Sequence, residues 1–206
     1  MGVIVKICGL RTLPAANAAV EAGADLLGFN FVSSSSRHIS PDGARDIIRV
    51  LPRGAKAVGI FVNPTMDQVQ QTVERCRLDW VQLSGTETPQ FCSEVLQPVI
   101  KAVRLSEQPP EGEALPDDYD VDLLLADAAV HGSWGGSGMT SDWVAAHELA
   151  QRRRLLLAGG LHAGNVGHAI QAVQPAGVDV ASGIETDGRD DPAKIKAFVA
   201  AARTVS

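Results

Sequence analysis

Two side chains in this sequence end apolar runs with groups that can move a proton. Asp127 closes Leu123-Leu124-Leu125-Ala126, and Cys8 follows Val3-Ile4-Val5-Lys6-Ile7. Residues two apart on a strand share a face, so Lys6 and Cys8 point the same way, and the lysine's charge is expected to favour the thiolate. A lone strand cysteine is more often a small buried hydrophobe than a base. Its place at the end of a run, beside Lys6, brings the two readings level. For Asp127 the competing reading is a surface carboxylate in the following loop. A partly desolvated carboxyl at that position would have its pKa raised and could donate a proton. Arg104 ends another run, and Asp179 sits among Val178, Val180 and Ala181. Cys76 and Cys92 fall in predicted helices and read as core residues. The five histidines are scattered without metal-ligand spacing, so no metal is assigned.

What must position these groups is a repeat. Short apolar runs, suited to strands buried on both faces, alternate with amphipathic stretches of helical period. The runs are Val3 to Ile7, Leu26 to Phe31, Lys56 to Phe61, Trp80 to Leu83, Val99 to Val103, Leu123 to Ala126, Leu155 to Ala158 and Val178 to Ala181. Pro14, Pro41, Pro64, Pro89 and Pro192 mark first helical turns, where the missing N–H costs nothing. The segment from Glu107 to Asp120 has no apolar period and reads as a loop replacing helix 5. Eight such units predict a (β/α)8 TIM barrel, at 206 residues near the short limit of that fold, as one domain over residues 1–206. An open doubly wound sheet is the alternative, but the first turn, Gly9-Leu10-Arg11-Thr12, lacks its G-x-G-x-x-G signal.

Barrels carry their chemistry at the C-terminal ends of the strands and often bind phosphate after strands 7 and 8. Glycine-bearing turns stand there, Ala158-Gly159-Gly160-Leu161 and Ala181-Ser182-Gly183-Ile184. Their N–H groups suit an anion, although glycine is also the default in tight turns. The loop carrying Gly135-Gly136-Ser137-Gly138 is long enough to fold over a ligand.

Net charge sets outer limits. At −6 the chain is a poor non-specific nucleic-acid binder. The short basic run Arg152 to Arg154 reads as cations at a helix C-terminus. Three cysteines suggest no disulfide framework, and neither a signal peptide nor a membrane span is read, so a cytoplasmic protein with no membrane partner is expected.

The segments Lys6-Ile7-Cys8-Gly9-Leu10, Gly59-Ile60-Phe61-Val62-Asn63, Val81-Gln82-Leu83, Ile100-Lys101-Ala102, Gly135-Gly136-Ser137-Gly138, Asp142-Trp143, Gly159-Gly160-Leu161 and Asp179-Val180-Ala181-Ser182-Gly183-Ile184-Glu185 resemble, in order, the phosphoribosylanthranilate isomerase family. The resemblance implies an Amadori rearrangement of a small phosphorylated substrate in tryptophan biosynthesis, without cofactor or metal; a monomer or weak homodimer is expected. It implies Asp127 as the general acid, Cys8 as the general base and Arg37 as the anchor of the anthranilate carboxylate. Gly160, Ser182 and Gly183 would hold the phosphate, with Gln82 and Asp179 also binding substrate. Arg37 otherwise reads as an exposed loop residue, but a guanidinium can grip a carboxylate with two parallel bonds where a lysine cannot.

The chain departs from the family at Ser84, which stands where the family has His, so the contact that His makes is in question. The run Ser33 to Ser36 replaces a commoner Lys-Ser-Pro and predicts a looser loop, and Leu-Ala-Asp replaces Leu-Leu-Asp at Asp127. A histidine-pathway isomerase would be expected to use paired aspartates, and orotidine phosphate decarboxylase an Asp-x-Lys-x-x-Asp cluster. A barrel that has lost catalysis is the non-enzymatic alternative, against which the intact Cys8 and Asp127 speak.

Overall fold

A computed structural model of the chain describes residues 2–52, 54–105, 114–127 and 141–205. Eight parallel strands close in sequence order into a barrel. They are β1 (Ile4–Ile7), β2 (Leu26–Asn30), β3 (Lys56–Phe61), β4 (Trp80–Leu83), β5 (Val99–Val103), β6 (Leu123–Asp127), β7 (Leu155–Ala158) and β8 (Gly177–Val180). The apolar runs predict them to within a residue at either end. Wholly apolar strands suit a barrel because one face looks inward and the other lies under helices. Every residue of β7 is accordingly buried.

The inner face fills from the bottom. Leu26, Val58, Ile100, Leu123, Leu125, Leu156 and Ala158 form one apolar cluster, while a larger cluster lies between strands and helices. The barrel closes where β1 pairs with β8, with Lys6 opposite Asp179 in register.

The helices are α1 (Leu13–Ala22), α2 (Pro41–Ile48), α3 (Met66–Cys76), α4 (Pro89–Ser93), α5 (Ser141–Ala150), α6 (Val166–Val173) and α7 (Pro192–Thr204). Thr12, Ser40, Thr88 and Asp191 cap the N-termini of α1, α2, α4 and α7, each just ahead of a proline in the first turn. Pro64 differs, because α3 begins after it at a Thr65–Gln68 capping box. Between β5 and β6 the described part of the predicted loop holds one 3-10 turn, Pro116–Asp118. Residues Arg152 and Arg153 follow α5 as expected, Arg152 donating to the Glu148 carbonyl and Arg153 to the carbonyls of Pro116 and Tyr119. Cys76 and Cys92 are core residues.

A small hairpin after β8 is not foreseen. It pairs β9 (Glu185–Thr186) with β10 (Arg189–Asp190). Asp187 and Gly188 take positive φ at its tip, as a two-residue turn of primed type requires.

Candidate active site

The C-terminal end of the barrel opens into a cavity of about 710 Å³, within the range of small-molecule sites. Cys8, Arg37, Gln82, Asp127, Gly160, Asp179 and Ser182 all line it. Among the predicted site residues, Gly183 alone stands outside that lining.

Cys8 sits one residue beyond β1 with its backbone tied on both sides. Its N–H donates to the Val180 carbonyl at 2.8 Å, and those of Gly9 and Leu10 donate to Gly28 O at 3.0 and 2.9 Å. The thiol is pushed up to about 11, first by burial and then by the Asp179 carboxylate, with Lys6 and Arg37 pulling the other way. Lys6 does lie beside Cys8, but it is fully buried and its ammonium bonds the Asp179 carboxylate at 2.8 Å. Lys6 does favour the thiolate, as expected from spacing, but burial and the Asp179 carboxylate outweigh it. Gly28 makes room for this arrangement, since a Cβ there would lie 3.3 Å from Lys6 Nζ and 3.1 Å from the Cys8 Cα.

Arg37 comes from the loop after β2. Asn30 and Ser35 hold that loop: Asn30 Oδ1 accepts from the Val32 N–H, and Ser35 Oγ accepts from Arg37 N–H at 3.1 Å and Asn30 Nδ2 at 3.2 Å. The serine run is thus pinned, where its composition predicted looseness. The Arg37 stem lies against Gly9, whose φ is +81° and where an added Cβ would come within 2.6 Å of Arg37 Cδ. Glu185 accepts two bonds from the guanidinium, at 3.0 Å from Nε and 2.9 Å from Nη2.

Asp127 is the last residue of β6 and is exposed at the cavity rim, so the fold alone does not desolvate it as expected. After the neighbouring strand β7, Gly159 and Gly160 take φ of 97° and 61°, and Ser182 opens a 3-10 turn (Ser182–Ile184) after β8. Gly183 acts between these turns, because a Cβ there would lie 1.9 Å from the Leu161 carbonyl oxygen. Only glycine lets the two loops touch. Gln82 is buried; its Nε2 donates to Ser84 Oγ at 3.0 Å, leaving Oε1 without a protein partner among the described residues. Ser84 thus supports Gln82 from the position where the family has His. The loop with Gly135 to Gly138 lies outside the described residues.

Some polar residues of the mouth were not singled out by sequence. Lys101 is buried, bonding Glu87 at 3.0 Å and the Gly85 carbonyl at 2.7 Å, while Glu87 accepts from the N–H groups of Asn63 and Gly85. Arg11 bonds both Glu185 and Asp190. The signal that could have found Glu185 and Asp190 is Asp187-Gly188, the strongest short-range mark of a hairpin.

Comparison with known proteins follows the same ground. The family model of N-(5'phosphoribosyl)anthranilate (PRA) isomerase matches residues 5–201. A relative from Geobacter sp. (strain M21), N-(5'-phosphoribosyl)anthranilate isomerase, is 46% identical over 203 residues, 98% of each chain. The solved phosphoribosyl anthranilate isomerase of Thermotoga maritima superposes with a TM-score of 0.82 at 37% identity, covering 98% of this chain and 99% of that one. A solved complex of such an isomerase with reduced 1-(o-carboxyphenylamino)-1-deoxyribulose 5-phosphate gives a TM-score of 0.81 at 35% identity, over 98% and 99% of the chains.

Proposed function

Because the chain belongs to the N-(5'-phosphoribosyl)anthranilate isomerase family and performs its Amadori rearrangement in tryptophan biosynthesis, we propose that Asp127 is the acid and Cys8 the base of that reaction. The substrate, N-(5-phosphoribosyl)anthranilate, becomes 1-(2-carboxyphenylamino)-1-deoxyribulose 5-phosphate, an aldose-to-ketose isomerisation. Asp127 gives a proton to the furanose ring oxygen as the C1′–O bond breaks, and the anilino nitrogen's lone pair forms an iminium. Cys8 removes the C2′ proton, yielding an enolamine. Protonation at C1′ and loss of the C2′ hydroxyl proton give the ketone, so no atom is gained or lost.

A thiol held near 11 in the free protein is almost wholly protonated at neutral pH, and only its thiolate can act as the base. The order of steps answers this, because the iminium places a positive charge beside the sulfur at the moment a thiolate is needed, and an adjacent opposite charge favours the charged form. Asp127, exposed in the free protein, would be covered by the substrate itself. Arg37 holds the anthranilate carboxylate; Gly160 and Ser182 hold the phosphate through backbone N–H groups, with Gly183 joining their loops. Gln82, through its unpartnered Oε1, and Asp179 contact the sugar. No cofactor or metal is required.

The observation that carries this reading is that acid, base, guanidinium and glycine turns all border one cavity. We place the enzyme in the cytoplasm as a monomer or weak homodimer. Among the described residues no helix is long and apolar enough to cross a membrane, and a Thermotoga maritima relative is described as dimeric.

The test is the loss of fluorescence of freshly made phosphoribosylanthranilate. Cys8→Ala and Asp127→Ala should each lower kcat by about 10²–10⁴-fold. Single variants with full activity would overturn the proton-transfer assignments.

A further inference from the structure

Arg37 reaches the cavity from a seven-residue excursion between β2 and its bridge at His38, and an arginine on a loop has many rotamers to lose before it can grip a ligand. Two features remove that freedom before any substrate arrives. Gly9 gives the aliphatic stem a flat backbone surface to lie on. Glu185 engages the Nε–Nη2 edge of the guanidinium with both carboxylate oxygens. A planar guanidinium presents five N–H donors in a fixed fork, so gripping one edge orients the other. Among the described residues no protein group bonds Nη1.

Glu185 is itself held. Arg11 donates to its Oε1 at 3.1 Å and to Asp190 Oδ1 at 2.9 Å, and the Arg11 backbone N–H donates to Asp190 Oδ2 at 2.9 Å. Arg11 also bonds the carbonyls of Ser36 and Gly188, so one side chain ties the Arg37 loop to the β9–β10 hairpin. The two arginines and two carboxylates balance in charge. Asp190 is 1% exposed and Glu185 12%, so water screens them little.

We infer that Glu185 is a positioning residue for the substrate carboxylate: it fixes Arg37 by one edge so that the Nη1–Nη2 edge meets the anthranilate group already aligned. The inference rests on Arg37 as the carboxylate anchor. The hairpin that closes the chain's last βα loop exists, on this account, to deliver Glu185 and Asp190 to a cluster that organises a loop on the other side of Cys8.

The experiment measures binding of two probes by calorimetry: reduced 1-(o-carboxyphenylamino)-1-deoxyribulose 5-phosphate, and the same compound lacking the ring carboxyl. The wild type should prefer the first. Glu185→Gln should weaken the carboxylated probe about tenfold and change the other by under about twofold, with the loss in turnover falling mainly on KM. Placed on Arg37→Ala, it should add nothing, because it acts through that residue. Equal weakening of both probes, no effect on either, or additivity with Arg37→Ala would overturn the inference while leaving the anchor role intact. If instead Arg37→Ala still prefers the carboxylated probe, the anchor reading itself fails, and the inference with it. Should Glu185→Gln not fold, Glu185→Asp keeps the charge but is one methylene too short for both bonds, and must show the same selective loss.

Discussion

On the proposed mechanism, the ionisation of the Cys8 thiol governs the second step, removal of the C2′ proton. The thiolate, not the thiol, attacks alkylating reagents, so the pH dependence of alkylation reads its ionisation directly. In a Cys76→Ala/Cys92→Ala background, the rate of Cys8 alkylation by iodoacetamide should climb about tenfold per pH unit from 7 to 10, with no inflection below 10, because burial holds the thiol near 11. An inflection near 8 would show that Lys6 governs the sulfur after all. That Cys8 and Asp127 border the cavity was legible in the sequence, since each follows an apolar run at a strand end. The shared face of Lys6 and Cys8 was legible too. What spacing could not reveal is that Asp179, 173 residues away, takes the lysine's charge. Burial, which sets the direction of the thiol's shift, is a property of the assembled barrel and has no local sign.

Among elements, the turns carry the clearest consequences. Gly188, at the hairpin tip, has φ +72° and open space around it. Gly188→Ala should cost only the left-handed backbone strain, about 1 kcal/mol in urea unfolding. Gly9→Ala meets both the strain and the Arg37 stem, so it should destabilise more and raise KM for the substrate; equal effects of the two variants would deny the packing of Arg37 on Gly9. The strands were readable because burial on both faces makes them continuous apolar runs, and β6 shows this, ending at the first charged residue. Helix starts were readable wherever proline follows a capping residue, and Pro64 misled because α3 takes its cap from Thr65 beyond it. The serine run misled for a related reason: composition implies looseness, yet Asn30 and Ser35 supply specific acceptors.

At the scale of the molecule, a buried ion pair spans the β1–β8 seam where the barrel closes. Removing one partner of such a pair leaves a buried charge without compensation. Lys6→Met should therefore lower stability by about 3–5 kcal/mol in urea titration, and Lys6→Met/Asp179→Leu should recover most of it. If the double variant is no better than the single, the loss lies in packing. The seam also bears on how the protein is made. Lys6 and Cys8 leave the ribosome ahead of the counter-ion, which follows 173 residues later, a wait of roughly 9–35 s at about 5–20 residues per second. For that interval β1 can pair with β2 but lacks its partner at the seam, and Cys8 lacks the Asp179 carboxylate beside it. Its unusual chemistry begins only when the last strand docks.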